Sequence, residues 1–190
     1  MITASLIEAF VVSTGLVALA EIGDKTQLLS LVLAARFRKP WPIVAGILVS
    51  TLLNHAAAGA AGAWITTMIG ADAMTKIVGV SFLAMAAWIL VPDKLDEAGA
   101  QRNLGGIFVT TATLFFIAEM GDKTQIATVM LAARYPSLVG VVLGTTAGML
   151  LANVPVVFFG DAIAKRVPLG IVRKVTAAAF AVLGVLALLA

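Results

Sequence analysis

Long apolar runs divided by short polar breaks set the plan of this chain. The runs cover 4–35, 41–69, 74–91, 104–133, 138–160 and 169–189, and the breaks read R-F-R-K-P, G-A-D-A, P-D-K-L-D-E-A-G-A-Q-R-N, R-Y-P-S and D-A-I-A-K-R-V-P. About 20 apolar residues suffice to cross the hydrocarbon of a bilayer as a helix, so the pattern predicts an all-α integral membrane protein with six transmembrane helices. The run at 104–133 would be about 45 Å long as a straight helix, too long for a core about 30 Å thick without tilt or interruption. The two longest runs are therefore expected to be kinked or broken.

Each of those two runs contains the same polar stretch, A-E-I-G-D-K-T-Q at 20–27 and A-E-M-G-D-K-T-Q at 118–125. Aligning them fixes an offset of 98, and of the sixteen pairs from Glu21/Glu119 to Arg36/Arg134 ten are identical. The match continues through Gly46/Gly144, Leu53/Leu151, Gly62/Gly160, Lys76/Lys174 and Phe82/Phe180. A period this long points to duplicated halves, not to a solenoid. The division is 1–92, a linker at 93–103, and 104–190. An odd number of helices per half turns the second copy upside down in the membrane, which makes two inverted three-helix repeats.

Composition agrees with a membrane chain and narrows its partners. With 190 residues, 61% hydrophobic and 12% charged, and mean hydropathy +1.07, no sizeable soluble domain fits beside six helices. The net charge of +3 and isoelectric point near 9.5 arise from basic residues in short loops, so no nucleic-acid partner is inferred. Cysteine is absent, which excludes disulfides, thiolate ligands and cysteine catalysis. The N-terminus lacks a basic n-region and a cleavage site and is expected to be retained. Outside the two motifs, Arg36, Arg38, Lys39, Lys94, Arg102, Lys165, Arg166, Arg173 and Lys174 fall on one side, and only Lys76 and Arg134 on the other. The richer side is expected to be cytoplasmic, with both termini external. Trp41, Trp64 and Trp88 lie near segment ends and are expected to be interfacial anchors. Asp93, Asp96 and Glu97 are expected to form a solvated linker with no ion site.

Glu21 and Glu119 each lie fifteen residues before an arginine, about 22 Å along a helix, and hence deep in the bilayer. Charges there cost about 2.5–3.5 kcal/mol for each Asp or Lys even on the mildest insertion scale, so a merely structural role is disfavoured. In an unbroken helix Glu21 and Asp24 share a face, as do Asp24 and Gln27, while Glu21 and Lys25 have the spacing to pair. The second copy repeats this with Glu119, Asp122, Lys123 and Gln125. Gly23 and Gly121 are natural points for a break that would free backbone carbonyls. Inversion lets the two faces meet at mid-membrane, with Glu21, Asp24, Gln27, Glu119, Asp122 and Gln125 as candidate metal ligands. Such hard oxygens suit Ca²⁺ or Mn²⁺ better than Zn²⁺ or Cu⁺.

Lys25 and Lys123 are expected to support that site. Thr26 and Thr124 rank as secondary, because a membrane threonine usually bonds its own backbone. The second long helix of each half adds Asn54, His55 and Asn153; the asparagines are equally suited to liganding and to interhelical hydrogen bonding, and a lone buried histidine is more often hydrogen-bonded than mechanistic. Gly46, Ser50, Asn54, Ala58 and Gly62 form a small-residue stripe, echoed by Gly140, Gly144 and Gly148, and are expected to serve close helix packing.

With E-I-G-D-K-T at 21–26 and E-M-G-D-K-T at 119–124, the chain resembles, over nearly its whole length, the cation exchanger family with twin E-x-G-D-K-[T/S] motifs. That family includes Golgi and chloroplast Mn²⁺/Ca²⁺ transporters and bacterial manganese exporters. The resemblance implies divalent-cation transport in exchange for protons, with Glu21, Asp24, Glu119 and Asp122 as the motif acids. For a small six-helix form without an organelle-targeting extension, it implies Mn²⁺ export at a bacterial inner membrane. No cofactor and no enzymatic activity are expected, and monomer and homo-oligomer both stay open. A cation channel is the main alternative, although it would not need an inverted duplication or paired lysines. An intramembrane metal hydrolase would need one asymmetric site, not a doubled motif. An exporter of another small solute would face an overcharged pocket.

The basic bias makes the topology testable. In a Ser137→Cys variant, a membrane-impermeant maleimide added from outside should label the new thiol; labelling from the cytoplasmic face alone would reverse the orientation.

Overall fold

The computed structural model describes residues 2–92, 104–160 and 168–189; the predicted linker with Lys94 and Arg102, and the basic pair Lys165 and Arg166, lie outside the described residues. The described residues form helices and no strands. The helices are α1 (Ile2–Glu21), α2 (Lys25–Phe37), α3 (Pro40–Met68), α4 (Ala71–Ile89), α5 (Ile107–Glu119), α6 (Lys123–Arg134), α7 (Leu138–Phe159) and α8 (Leu169–Leu189).

Both motif runs are broken at their glycines. Gly23 has φ +81° and Gly121 φ +73°, a left-handed conformation that an L side chain resists, so glycine is what lets the chain turn there. The bend between Ser5–Glu21 and Lys25–Phe37 is 70°. Asp24 and Asp122 follow with the same backbone angles, φ −81° and ψ 168°, and each starts the next helix. The glutamine three residues on closes the turn. Gln27 Oε1 accepts from the Gly23 N–H at 2.9 Å, and Gln125 Oε1 from the Gly121 N–H at 2.7 Å, a variation on the capping box one residue further back.

Packing crosses between the halves. α1 lies mainly against α7 and α5 against α3, while α2 meets α7 and α6 meets α3. α3 also packs on α7, and α4 on α8. At that last contact Phe82 and Phe180, equivalent at the repeat offset, meet edge-on with ring centroids 5.8 Å apart. The small-residue stripe of α3 is buried from Gly46 through Ser50, Asn54 and Ala58 to Gly62, and Gly140, Gly144 and Gly148 are buried on α7. A Cβ on Gly148 would lie 2.7 Å from the Thr14 carbonyl oxygen of α1, and one on Gly46 would lie 2.7 Å from Thr111 Cβ of α5. These faces bring backbones together as predicted.

Three of the helices, α3, α7 and α8, are long and apolar enough to cross a membrane, and α1 with α2 makes a fourth if the bent pair is one span. Ala73–Ile89 and Ile107–Glu119 are shorter apolar helices. The two expected longest spans are thus each divided into two helices, because the glycine turn interrupts the ladder of backbone bonds. Apolar side chains including Ile7, Val11, Leu53, Ile117, Val182 and Leu189 face outward, as do Trp41, Trp64 and Trp88, as a lipid-facing surface requires.

Close approach predicts opposite outcomes for two glycines. A methyl on Gly62 would sit 2.2 Å from the Val129 carbonyl oxygen of α6, whereas one on Gly15 meets nothing within 4 Å. Gly62→Ala should therefore destabilise the folded protein by about 1–3 kcal/mol, and Gly15→Ala should be neutral or stabilising by up to about 1 kcal/mol. Thermal unfolding in detergent, followed by size-exclusion chromatography, checks both.

Candidate metal centre

Three acids from both halves converge at the glycine turns. One carboxylate oxygen each from Glu21, Asp24 and Asp122 lies within 4.8 Å of the others, and all three side chains are buried. Glu119, also fully buried, is close enough that its charge, like that of Asp122, acts directly on Glu21. The turn explains the convergence: Glu21 and Glu119 close the helices before it, while Asp24 and Asp122 open the helices after it. Neither aspartate caps its own helix with its side chain, so both carboxylates point elsewhere, and the helix N-terminus behind each favours negative charge.

The partners of these acids come in matched pairs. Thr26 Oγ1 donates to Glu21 Oε2 at 2.5 Å, and Thr124 Oγ1 to Glu119 Oε2 at 2.9 Å. The threonines thus hold the glutamates across the turn instead of bonding their own helix, as a threonine in an unbroken helix would. One oxygen each of Glu21, Glu119 and Asp122 (Oε1, Oε1 and Oδ2) is buried without a hydrogen-bond donor. Buried carboxylate oxygens need a proton, a donor or a cation.

Lys25 departs from the expected pairing. Lys25 Nζ bonds Asp122 Oδ1 at 2.9 Å, across the halves, rather than Glu21 within its own motif. Four-residue spacing brings side chains together only in a continuous helix, and the Gly23 turn ends that helix. Lys123 Nζ lies 3.0 Å from the Val91 carbonyl oxygen and 6.0 Å from the Trp88 ring centroid. A small recess of about 10 Å³ beside the first motif is lined by Gly23, Asp24, Ile89, Lys123 and Arg173.

Both asparagines of α3 and α7 make hydrogen bonds between helices. Asn54 donates to the Phe116 carbonyl at 3.1 Å and accepts from Gln125 Nε2 at 3.3 Å, an interhelical bridge. Asn153 Nδ2 lies 3.5 Å from Glu21 Oε2 and 3.1 Å from the Met149 carbonyl oxygen, and its Oδ1 accepts from Ser30 at 2.7 Å. Gln27 Nε2 donates to the Ala152 carbonyl at 3.1 Å. His55 is fully buried with Nε2 3.9 Å from Glu119 Oε2, and neither ring nitrogen has a hydrogen-bond partner, contrary to the expectation for a lone buried histidine. Ser30 was not singled out by sequence; its place one turn beyond Gln27, on the motif face, is the signal that points to it.

Buried acids from two related turns and a cross-half ion pair, set among apolar helices of membrane-crossing length, are the features of a membrane protein that handles cations. The family model described as "Divalent cation/proton antiporter GDT1" matches residues 9–97 and 107–190, and the chain belongs to that family. It is 52% identical over 179 residues to a Vibrio cholerae protein named "Putative manganese exporter", covering 94% of this chain and 89% of that one. It is 30% identical over 182 residues to the GDT1-like protein sll0615 of Synechocystis, covering 85% and 87%, and 25% identical over 224 residues to GDT1-like protein 5 of Arabidopsis thaliana, covering 97% of each. No solved structure matches.

The ion pair gives this geometry a sign. An ammonium 2.9 Å from Asp122 opposes a second cation at the same carboxylates. Lys25→Met should tighten Mn²⁺ binding to the purified protein by about tenfold or more, equivalent to about 1.4 kcal/mol. Titration calorimetry at fixed pH reads this, and weaker binding would mean that Lys25 organises the site instead of competing for it.

Proposed function

We propose that this chain is a secondary transporter that exports Mn²⁺ from a bacterial cytoplasm in exchange for protons, with Ca²⁺ as the alternative cargo. The observation that carries the proposal is the meeting of Glu21, Asp24 and Asp122 within 4.8 Å, out of water and drawn from both halves, beside Glu119. The similarity to a protein named a manganese exporter supports Mn²⁺, and the family description supports proton exchange. In this proposal the protein crosses the inner membrane six times as two inverted repeats, 1–92 and 104–190, joined by a cytoplasmic linker at 93–103, with both termini external. The reciprocal packing of α1 on α7 and α5 on α3 supports that architecture.

Each group has a role that its chemistry allows. Glu21, Asp24, Glu119 and Asp122 ligate the ion through their carboxylate oxygens. Gln27 and Gln125 each use one lone pair of the amide oxygen to close a turn and offer the other to the ion. Thr26, Thr124 and Asn153 hold the glutamates in position, Asn54 ties Gln125 to α3, and Lys25 and Lys123 lower the net charge. Four carboxylates against two lysines leave two negative charges, which one divalent cation or two protons neutralise. Because an uncompensated charge is expensive within the bilayer, the loaded and doubly protonated forms are the two that exchange access between sides. The expected exchange is one divalent ion for two protons. Protons and metal compete for the same oxygens, so metal binding weakens as pH falls through the range in which those carboxylates become protonated.

Proteoliposomes loaded with Mn²⁺, Ca²⁺, Mg²⁺ or Zn²⁺ provide the test. Mn²⁺ flux should be driven by a pH gradient and respond little to a membrane potential imposed at equal pH. Glu21→Gln and Glu119→Gln should each abolish flux, by more than about a hundredfold, in protein that is still folded and inserted, since a charged ligand is lost with little change of shape. Flux that follows potential and ignores pH would establish a channel instead.

A further inference from the structure

The two halves of the site are not chemically equivalent, and the difference centres on His55. At the repeat offset of 98, His55 of α3 stands where Asn153 of α7 stands. Asn153 is satisfied: Ser30 donates to its Oδ1 at 2.7 Å, and its Nδ2 lies near Glu21 Oε2 and the Met149 carbonyl oxygen. The equivalent of Ser30 is Thr128, whose hydroxyl turns away and donates to the Thr124 carbonyl of its own helix at 2.8 Å. His55 receives nothing in its place. Its ring is wholly buried, and both nitrogens are without hydrogen-bond partners.

Two ordinary explanations for a buried histidine fail on distance. A core histidine is held by hydrogen bonds, and His55 has none. A histidine that orients a carboxylate bonds it directly, but the 3.9 Å from Nε2 to Glu119 Oε2 is too long. The same separation suits two donors on one ion. First-row divalent ions hold imidazole nitrogen and carboxylate oxygen at about 2.1 Å, so two such ligands on one ion lie between about 3 and 4.2 Å apart. Glu119 Oε1, also without a partner, belongs to the same carboxylate.

We propose that His55 is a specificity-determining ligand, supplying through Nε2 the one nitrogen donor in an otherwise all-oxygen metal site. This rests on the carboxylate cluster being the cargo site. Ca²⁺ and Mg²⁺ take oxygen ligands, whereas every first-row transition ion accepts imidazole, with affinity rising from Mn²⁺ along the Irving–Williams order. One imidazole among carboxylates is the smallest change that favours Mn²⁺ over Ca²⁺ and Mg²⁺ without building the multi-nitrogen or thiolate site of a zinc protein. Asn153 in the other half, already committed to Ser30, leaves Glu21 in an oxygen environment.

The chain has a single histidine, so one label answers the question. Full-length protein, with its purification tag removed, is prepared with [¹⁵N]histidine or with natural histidine, loaded with Mn²⁺ at one equivalent, and studied by pulsed electron paramagnetic resonance. The expected result is a hyperfine coupling from a directly bound imidazole nitrogen that changes on ¹⁵N substitution. The coupling should be absent in His55→Asn and His55→Gln, whose preference for Mn²⁺ over Ca²⁺ in competition binding should fall about tenfold while Ca²⁺ affinity is kept. Bound Mn²⁺ that is released by Glu21→Gln but shows no histidine coupling in the unsubstituted protein would overturn the role of His55 and leave the carboxylate site standing. Failure of the unsubstituted protein to bind Mn²⁺ in a Glu21-dependent manner would overturn both. The spectrum of the unsubstituted protein decides the ligand even if neither variant folds.

Discussion

Four carboxylates removed from water must be answered by other charges or by donors, and most of the polar structure of this protein follows from that demand. No single helix can supply the answer, because neighbours on one helix are spaced too regularly to surround an acid. The glycine turns resolve this by placing a glutamate at the end of one helix and an aspartate at the start of the next. A hydroxyl then reaches each glutamate from beyond the turn, and an amide closes each turn from behind. What is still unanswered is left to the other half of the chain, as the Lys25–Asp122 pair makes plain.

The repeat imposes likeness, and it is broken at particular residues. Backbone angles at Asp24 and Asp122 agree, and the threonine and glutamine contacts recur in both copies. Lys25 reaches Asp122, and Lys123 reaches a backbone carbonyl at the end of α4. Asparagine faces one glutamate and histidine the other.

Much of this was legible from residues alone. The duplicated motif announced the paired acids, the glycines announced the breaks, and the four-residue stripe on α3 announced a face that is indeed buried. Other features were hidden for a definite reason. Spacing arguments presuppose an unbroken helix, so the pairing of Glu21 with Lys25 failed at the very turn that the glycine predicted. Contacts between residues far apart in sequence, such as Ser30 with Asn153, have no periodic signature. The isolation of the His55 ring depends on which way the Thr128 hydroxyl turns, and a local rotamer leaves no trace in a sequence.

The reciprocal packing of α1 on α7 and α5 on α3 has a consequence for how the protein is made. A nascent chain emerges from its N-terminus, and α1 with Glu21 is complete long before its packing partner exists. Asn153 lies 132 residues downstream of Glu21, on the order of ten seconds of translation. Through that interval the half-built carboxylate site has to be sheltered by the insertion machinery or to linger where water can reach it. Final burial of the first motif is therefore a late event of biogenesis, set by arrival of the second half rather than by insertion of the first.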